Sequence, residues 1–217
     1  RMRLLIWVPV IHNYADMGLT KEQAMADKHF REIDPAVERL WDVIGREIAK
    51  LNLDYRNVQI YMDSWFPCAN PVRYVELFAS KGSRNFELIA RYIRQGAELM
   101  ATENIFHFII PKFLFRFVGM YSWGPYWFWD MKVKIILVLS SFYNQLNPLG
   151  TVSSNMKLRD QYVANRIDES LKDGKIGLLF MGAKHEVTDY ITAQDIKVIM
   201  LPAVVLEAYR LRAEFNL

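Results

Sequence analysis

An α/β fold is the class that this sequence predicts, with a mainly parallel sheet and helices on both of its faces. Three observations predict it. Short, almost uniformly apolar segments recur along the chain, as expected of strands that are covered on both faces. Amphipathic helical patterns lie between these segments. Strands and helices alternate, which implies right-handed crossover connections within one sheet.

The first hundred residues contain three of the predicted strands. The apolar run that starts at Leu4 reads as the first strand of the fold. Asp34 followed by Pro35 is typical of a helix start, with an N-cap residue and a proline at the first helical position. Gly96 is suited to end a helix at the C′ position. The predicted elements are strands over residues 4–11, 58–62 and 97–102, and helices over residues 35–51 and 83–95, with further helical turns near residues 20 and 75–79.

Residues 104–150 are rich in aromatic side chains and give no clear period. Two very apolar segments, residues 106–117 and 127–143, are separated by a turn at residues 122–125. Their length favours helices, so we expect an aromatic-rich helical insertion or cap. The most apolar part, residues 133–143, is far shorter than the roughly 20 residues of a membrane span. Contact with a membrane surface is the minority interpretation.

The last third returns to the alternating pattern. An amphipathic helix is predicted over residues 158–171, with Leu158, Tyr162, Val163 and Ile167 on its apolar face. The most apolar strand of the chain follows over residues 176–181. A short helix near residues 187–190, a strand over residues 196–201 and a helix over residues 204–214 complete the chain. With 217 residues and no internal repeat, a single domain over residues 1–217 is expected.

Composition excludes several classes of protein. The net charge of +3 comes from scattered Lys and Arg residues, so no nucleic-acid partner is expected. The single cysteine, Cys68, allows neither an internal disulfide nor a zinc site built on cysteines. A reducing, cytoplasmic location fits this best. The chain also lacks a glycine-rich phosphate loop, a Gly-x-Ser-x-Gly elbow and a His-Glu-x-x-His motif.

Ionisable side chains follow four of the predicted strands. They are His12 and Asp16 after the first strand, Asp63 and Glu103 after the next two, and His185 and Glu186 after the fourth. Ligands of parallel sheets gather at the carboxyl ends of the strands, so these side chains are candidates for one site. Together they could bind a divalent metal of unknown identity, which would activate a water molecule. Without a metal, one histidine could act as a general base oriented by a carboxylate.

Each of these residues also has a purely structural explanation. The two histidines could be hydrogen-bonded loop residues, and Asp63 and Glu103 could cap helices. Arg159 lies at the predicted start of a helix, where a cation is unfavourable, so a carboxylate or an anionic substrate is expected to hold it. Its neighbour Asp160 is explained there by the helix dipole. The other two histidines are less suggestive, His29 as a solvated residue and His107 as a core residue.

Two segments resemble a known superfamily. Leu158-Arg159-Asp160-Gln161-Tyr162-Val163-Ala164 opens a helix, and the strand after it ends in Gly182-Ala183-Lys184-His185. This is similar to the C-terminal signature of the TraB/PrgY/TIKI and erythromycin-esterase/ChaN-like superfamily, over about thirty residues. Val8-Pro9-Val10-Ile11-His12 occupies the position of that superfamily's early histidine motif, with Asp63 and Glu103 as the acids. The resemblance implies an α/β fold and a hydrolase site, metal-dependent in some members.

Three hypotheses follow for function. The first is a hydrolase of an ester or amide bond in a small molecule or peptide. His12, Asp63, Glu103 and His185 would be metal ligands, bases or proton carriers, and Arg159 a carboxylate or oxyanion clamp. The second is a non-catalytic binding protein that uses the aromatic residues 106–143 for a partner, a lipid or a small molecule. The third is a homodimer that buries the same aromatic segment.

Overall fold

The computed structural model describes residues 2–16, 21–63, 65, 70–102 and 152–217. Its five strands form one parallel sheet in the order β3-β2-β4-β1-β5, so the predicted α/β class is confirmed. The strands are β1 (Arg3–Val10), β2 (Val58–Met62), β3 (Glu98–Met100), β4 (Ile176–Gly182) and β5 (Ile196–Met200). The expected helical insertion over residues 104–150 lies outside the described residues.

The described helices cover both faces of this sheet. They are α1 (Lys21–Ala26), α2 (Lys28–Lys50), α3 (Pro71–Ser80), α4 (Arg84–Arg94), α5 (Val152–Ser170) and α6 (Pro202–Phe215), with 3-10 turns at Tyr55–Asn57 and Val187–Tyr190. Apolar side chains of α2, α4 and α6 pack on one face, against Ile6, Ile60 and Phe180. Those of α5 pack on the other, against Leu5 and Leu179. None of the described helices is long and apolar enough to cross a membrane.

Alternating side chains of the central strands therefore enter two different cores. Every residue of β2 is buried, as are the middle five of β4 and the last six of β1. A strand buried on both faces needs no polar side, which explains why these segments, apart from Gln59 in β2, read as continuous apolar runs rather than alternating ones.

Pro9 lies in β1, a central strand, although proline has no N–H to donate to a neighbouring strand. Val10 accepts a hydrogen bond from Ala183 on the β4 side, at 3.1 Å. Successive residues of a strand turn their backbone groups to opposite sides, so Pro9 faces β5. The pairing of β1 with β5 ends at Trp7, opposite Met200. Pro9 thus lies beyond the paired part of that edge.

The start of α2 differs from the sequence prediction. The helix begins at Lys28, where the Asp27 carboxylate accepts a hydrogen bond from the backbone N–H of His29, and Pro35 lies inside it. Asp34 and Pro35 satisfy the rules for a helix start, but Ile33 is already buried with Ala36 and Val37. A proline inside a helix costs roughly 3 kcal/mol. Burial of the earlier helical turn outweighs this cost.

Candidate functional site

Three neighbouring strands bring three of the predicted site residues to one edge of the sheet. The strands β2, β4 and β1 are adjacent, and they are followed by Asp63, His185 and His12 respectively. Backbone hydrogen bonds extend the pairing past the strand ends. The N–H of Asp63 donates to Phe180 at 2.8 Å, and that of Ala183 donates to Val10 at 3.1 Å. The loops that carry the three side chains therefore leave the sheet side by side.

Both histidines face a single carboxylate oxygen. Nε2 of His12 lies 3.5 Å from Oδ2 of Asp63, and Nε2 of His185 lies 3.6 Å from the same oxygen. The distance between the two Nε2 atoms is therefore at most the sum of these two distances. Sequence separation gives no hint of this, since it follows from β4 pairing with both β1 and β2.

A second carboxylate fixes the ring of His185. Nδ1 of His185 lies 2.5 Å from Oδ1 of Asp160, and the N–H of Glu186 donates to Oδ2 at 2.8 Å. The side chains of His185 and Asp160 are 8% and 3% exposed, so this pair is shielded from water. Because an ionised carboxylate can only accept, Nδ1 must carry the hydrogen, which leaves Nε2 free to face Asp63.

The explanation of Asp160 by the helix dipole is wrong. The helix α5 begins at Val152, so Asp160 lies more than two turns inside it. A dipole effect falls off within the first turn. Its role is instead to accept hydrogen bonds from the turn that carries His185.

A third carboxylate lies against His12. Nδ1 of His12 is 3.4 Å from Oδ2 of Asp16, whose side chain is 2% exposed. The His12 side chain itself is 36% exposed, compared with 8% for His185. His12 is therefore the more solvent-accessible of the two rings.

Arg159 supplies the cation that the Asp63 carboxylate needs. Its Nη2 donates to Oδ1 of Asp63 at 2.8 Å, with side chains that are 16% and 10% exposed. The carboxylate expected to hold Arg159 is thus Asp63, across the site from its own helix. Burial alone would raise the pKa of Asp63. Hydrogen bonding to His12 and the charges of His12 and Arg159 outweigh burial, and they hold this pKa well below its usual range.

The same interactions act in the opposite direction on His12. Burial works to lower its pKa, but hydrogen bonds with Asp16 and Asp63, together with their charges, raise it to about 10. His12 is then an imidazolium near neutral pH, a donor rather than a base.

Three residues outside the group support it. A Cβ on Gly182 would lie 3.2 Å from Cδ2 of His185, so the glycine of the Gly-x-x-His motif leaves room for the ring. Arg212, on α6, donates to the carbonyl of Ala183 at 2.8 Å and so holds the turn before His185. Thr102, fully buried, donates to the carbonyl of Met62 at 2.5 Å, next to Asp63.

Other candidates lie elsewhere. Glu103, His107, Cys68 and the aromatic residues 106–143 are outside the described residues. His29 is exposed in the first turn of α2, as expected of a solvated residue. Among the described parts of the chain, no group of three or more His, Cys, Asp or Glu side chains is arranged to hold a metal ion. The metal site, with Glu103 as a ligand, stays a prediction.

The sequence analysis assigned neither Asp160 nor Asp16 a role in the site. The pattern of buried residues in α5 could have indicated Asp160. On α5 the buried positions are Asp160, Val163, Ala164 and Ile167. An aspartate in register with the apolar stripe of a helix is costly unless it is paired. Asp16 was named only for its place after the first strand, and its burial, which depends on the loop around it, could not be predicted.

Comparison with known proteins adds no relative. No family model, curated protein or solved structure matches this chain.

Proposed function

We propose that this protein is a hydrolase that cleaves an ester or amide bond by acid–base chemistry at His12 and His185. The observation that carries the proposal is the pair of Nε2 atoms within 3.6 Å of one Asp63 oxygen, with each ring backed by a second aspartate. Buried, mutually oriented titratable groups at the carboxyl edge of a parallel sheet are typical of an active site.

His185 is the general base of this proposal. Its Nδ1–H is held by Asp160, so the lone pair of Nε2 can take a proton from a water molecule. The water oxygen then forms a bond to the carbonyl carbon of the substrate. The same division of roles operates in a serine–histidine–aspartate triad, where the aspartate orients the ring without itself taking the proton.

His12 is the general acid. Because its pKa is raised, it carries the proton that the leaving alkoxide or amine needs when the bond to the carbonyl carbon breaks. The proton gained by His185 and the one lost by His12 are exchanged with solvent through the exposed side of His12. In this proposal Arg159 keeps Asp63 ionised between the two rings.

A panel of p-nitrophenyl esters and acyl p-nitroanilides of graded chain length tests the proposal. We expect turnover of part of the panel by the wild-type protein, and a loss of about 10²–10⁴-fold in both His12→Asn and His185→Asn. His29→Asn is the matched control, since it removes an exposed imidazole on α2 and should keep full activity. Turnover that survives in His185→Asn would refute the assignment.

The metal prediction is tested in the same assay. Dialysis against EDTA, followed by Mn²⁺, Zn²⁺ or Mg²⁺, separates a metal-assisted site from an acid–base site. Activity that disappears with EDTA and returns with one ion supports the metal ligands named from the sequence. Activity that EDTA leaves unchanged supports the acid–base route.

A further inference from the structure

The loop that carries His12 is fixed by a small network of buried polar groups. Asp16 accepts a hydrogen bond from the N–H of Asn13 at 3.1 Å, and Asn13 Oδ1 accepts one from the N–H of Asp16 at 2.9 Å. The Asn13 amide also donates to Glu38 of α2 at 3.2 Å. Asn13 is 1% exposed. This reciprocal turn gives the backbone after β1 one defined conformation.

Ser83 ties the same loop to α4. Its hydroxyl donates to Oδ1 of Asp16, and its oxygen accepts a hydrogen bond from the N–H of Phe86 at 3.2 Å. Ser83 is the N-cap of α4 and is completely buried. A cap needs only the acceptor function of its side chain. The donor function of this hydroxyl is therefore left for Asp16, whose other oxygen faces His12.

Each of the two histidine rings lies between two aspartates. In each, Nδ1 faces a buried aspartate, Asp16 for His12 and Asp160 for His185, and Nε2 faces Asp63. An imidazole has two nitrogens, and the partner of one decides where the other points. Asp160 is anchored by its own helix and by the N–H of Glu186. Asp16 lies in a loop and needs an outside anchor, which Ser83 provides.

We propose that Asp16, held by Ser83 at the start of α4, is the positioning residue of His12, and that it keeps Nε2 of that ring turned toward Asp63. The proposal rests on the proposed function for its catalytic consequence but not for its structural one. Without Asp16, the partly exposed ring of His12 can rotate or flip, and the donor leaves the reacting bond. A misplacement of about 1 Å at such a site costs about 10²-fold in rate.

Asp16→Asn and Ser83→Ala test this by long-range ¹⁵N–¹H NMR of the histidine rings in the full chain. Asn keeps the shape of Asp16 and an oxygen that can accept from the Asn13 N–H, so the fold is expected to survive, but it removes the negative charge that faces Nδ1 of His12. We expect both variants to shift the Nδ1 resonance of His12 and to leave the ring resonances of His185 in place. Ser83→Thr keeps the hydroxyl and should restore the wild-type signal.

Loss of a helix cap is controlled separately. Asn70 caps α3, a different helix from the one that Ser83 caps, by accepting from the N–H of Arg73. Asn70→Ala should lower the melting temperature as Ser83→Ala does, with His12 unchanged. On any substrate found in the ester and amide panel, Asp16→Asn should lower kcat about 10²-fold with little change in KM.

The outcomes separate the two proposals. An altered His12 ring in a protein without hydrolase activity supports the positioning role and rejects the proposed function. His12 resonances that are unchanged in Asp16→Asn overturn the positioning role, whatever the activity. A shift in Ser83→Ala that Asn70→Ala reproduces also overturns it, because the effect would then come from general loosening of the fold.

Discussion

Replacing Asp160 by asparagine should leave the fold in place and reverse the hydrogen bonding of His185. An asparagine can still accept from the N–H of Glu186 through its oxygen, but it then presents its NH₂ group to Nδ1 of His185. Nδ1 must become the acceptor, so the ring hydrogen moves to Nε2. That nitrogen can no longer take a proton from water. The corresponding change in a serine protease lowers kcat about 10⁴-fold for this reason.

The magnitudes for Asp160→Asn follow from the two hydrogen bonds. A loss of about 10⁴-fold in rate corresponds to about 5.5 kcal/mol of transition-state stabilisation. Stability should fall by only about 1–3 kcal/mol, because one charge-assisted hydrogen bond becomes neutral while no buried donor is left unpaired. Ring ¹⁵N NMR reports the tautomer directly, and urea unfolding reports the stability.

Glu169→Gln is the matched control for this change. It also removes one negative charge from α5, at a side chain that is 68% exposed. It should leave the His185 ring, the rate and the stability within error of the wild-type values. If Asp160→Asn keeps the wild-type tautomer at His185, or keeps the wild-type rate, then Asp160 does not orient the base and the reasoning fails.

Three further predictions concern the same group of residues. Gly182→Ala should lower activity about tenfold with little change in melting temperature, because the new Cβ would displace the His185 ring by a few tenths of an ångström. Gly45→Ala is the control. Its Cβ meets only Leu88, at an ordinary 3.8 Å, so this change should stabilise α2 by about 1 kcal/mol. Arg159→Met should destabilise the protein by about 3 kcal/mol, because it leaves the buried Asp63 carboxylate without its guanidinium; a Lys replacement that is no better than Met would contradict this. Finally, the raised pKa of His12 means that its interactions stabilise the fold fully below pH 6.5 and progressively less as the pH rises toward about 10. The urea midpoint of the wild type should therefore decline over that pH range. The control His29→Gln should show the same decline, and His12→Gln a clearly smaller one.

The parts of the fold that could be predicted are those in which a local pattern and the tertiary environment agree. The strand β2 was predicted over the residues that the structure assigns to it, since four of its five residues are apolar and all five are buried. The helix α4 has its N-cap at Ser83 and a regular apolar stripe, so both of its ends were predictable within a residue. Where burial overrode a local signal, as at Asp34 and Pro35, the prediction was wrong.

The candidate site was predictable only in part, for a different reason. The position of His12, Asp63 and His185 after strands can be read along the chain. Which strands are neighbours cannot, because the order β2-β4-β1 joins segments more than a hundred residues apart. The partners of the two rings were harder still. The apolar stripe of α5 was drawn through Leu158, which is 56% exposed, whereas Asp160 occupies the buried face.

The energetic cost of this group of residues is itself an argument that it serves a function. Three carboxylates, Asp16, Asp63 and Asp160, are at most 10% exposed and lie together around the two histidines. Taking such groups out of water is expensive, and apolar residues of similar volume often stabilise a fold as well or better. We therefore expect the double change Asp160→Leu with His185→Leu to keep stability within about 1 kcal/mol of the wild type, and Asp160→Leu alone to lose about 3 kcal/mol by stranding the His185 donor. Urea unfolding of both variants measures this. A double variant that is as unstable as the single one would mean that the pair is retained for the fold, and the case for an active site would then rest on the geometry at Asp63 alone.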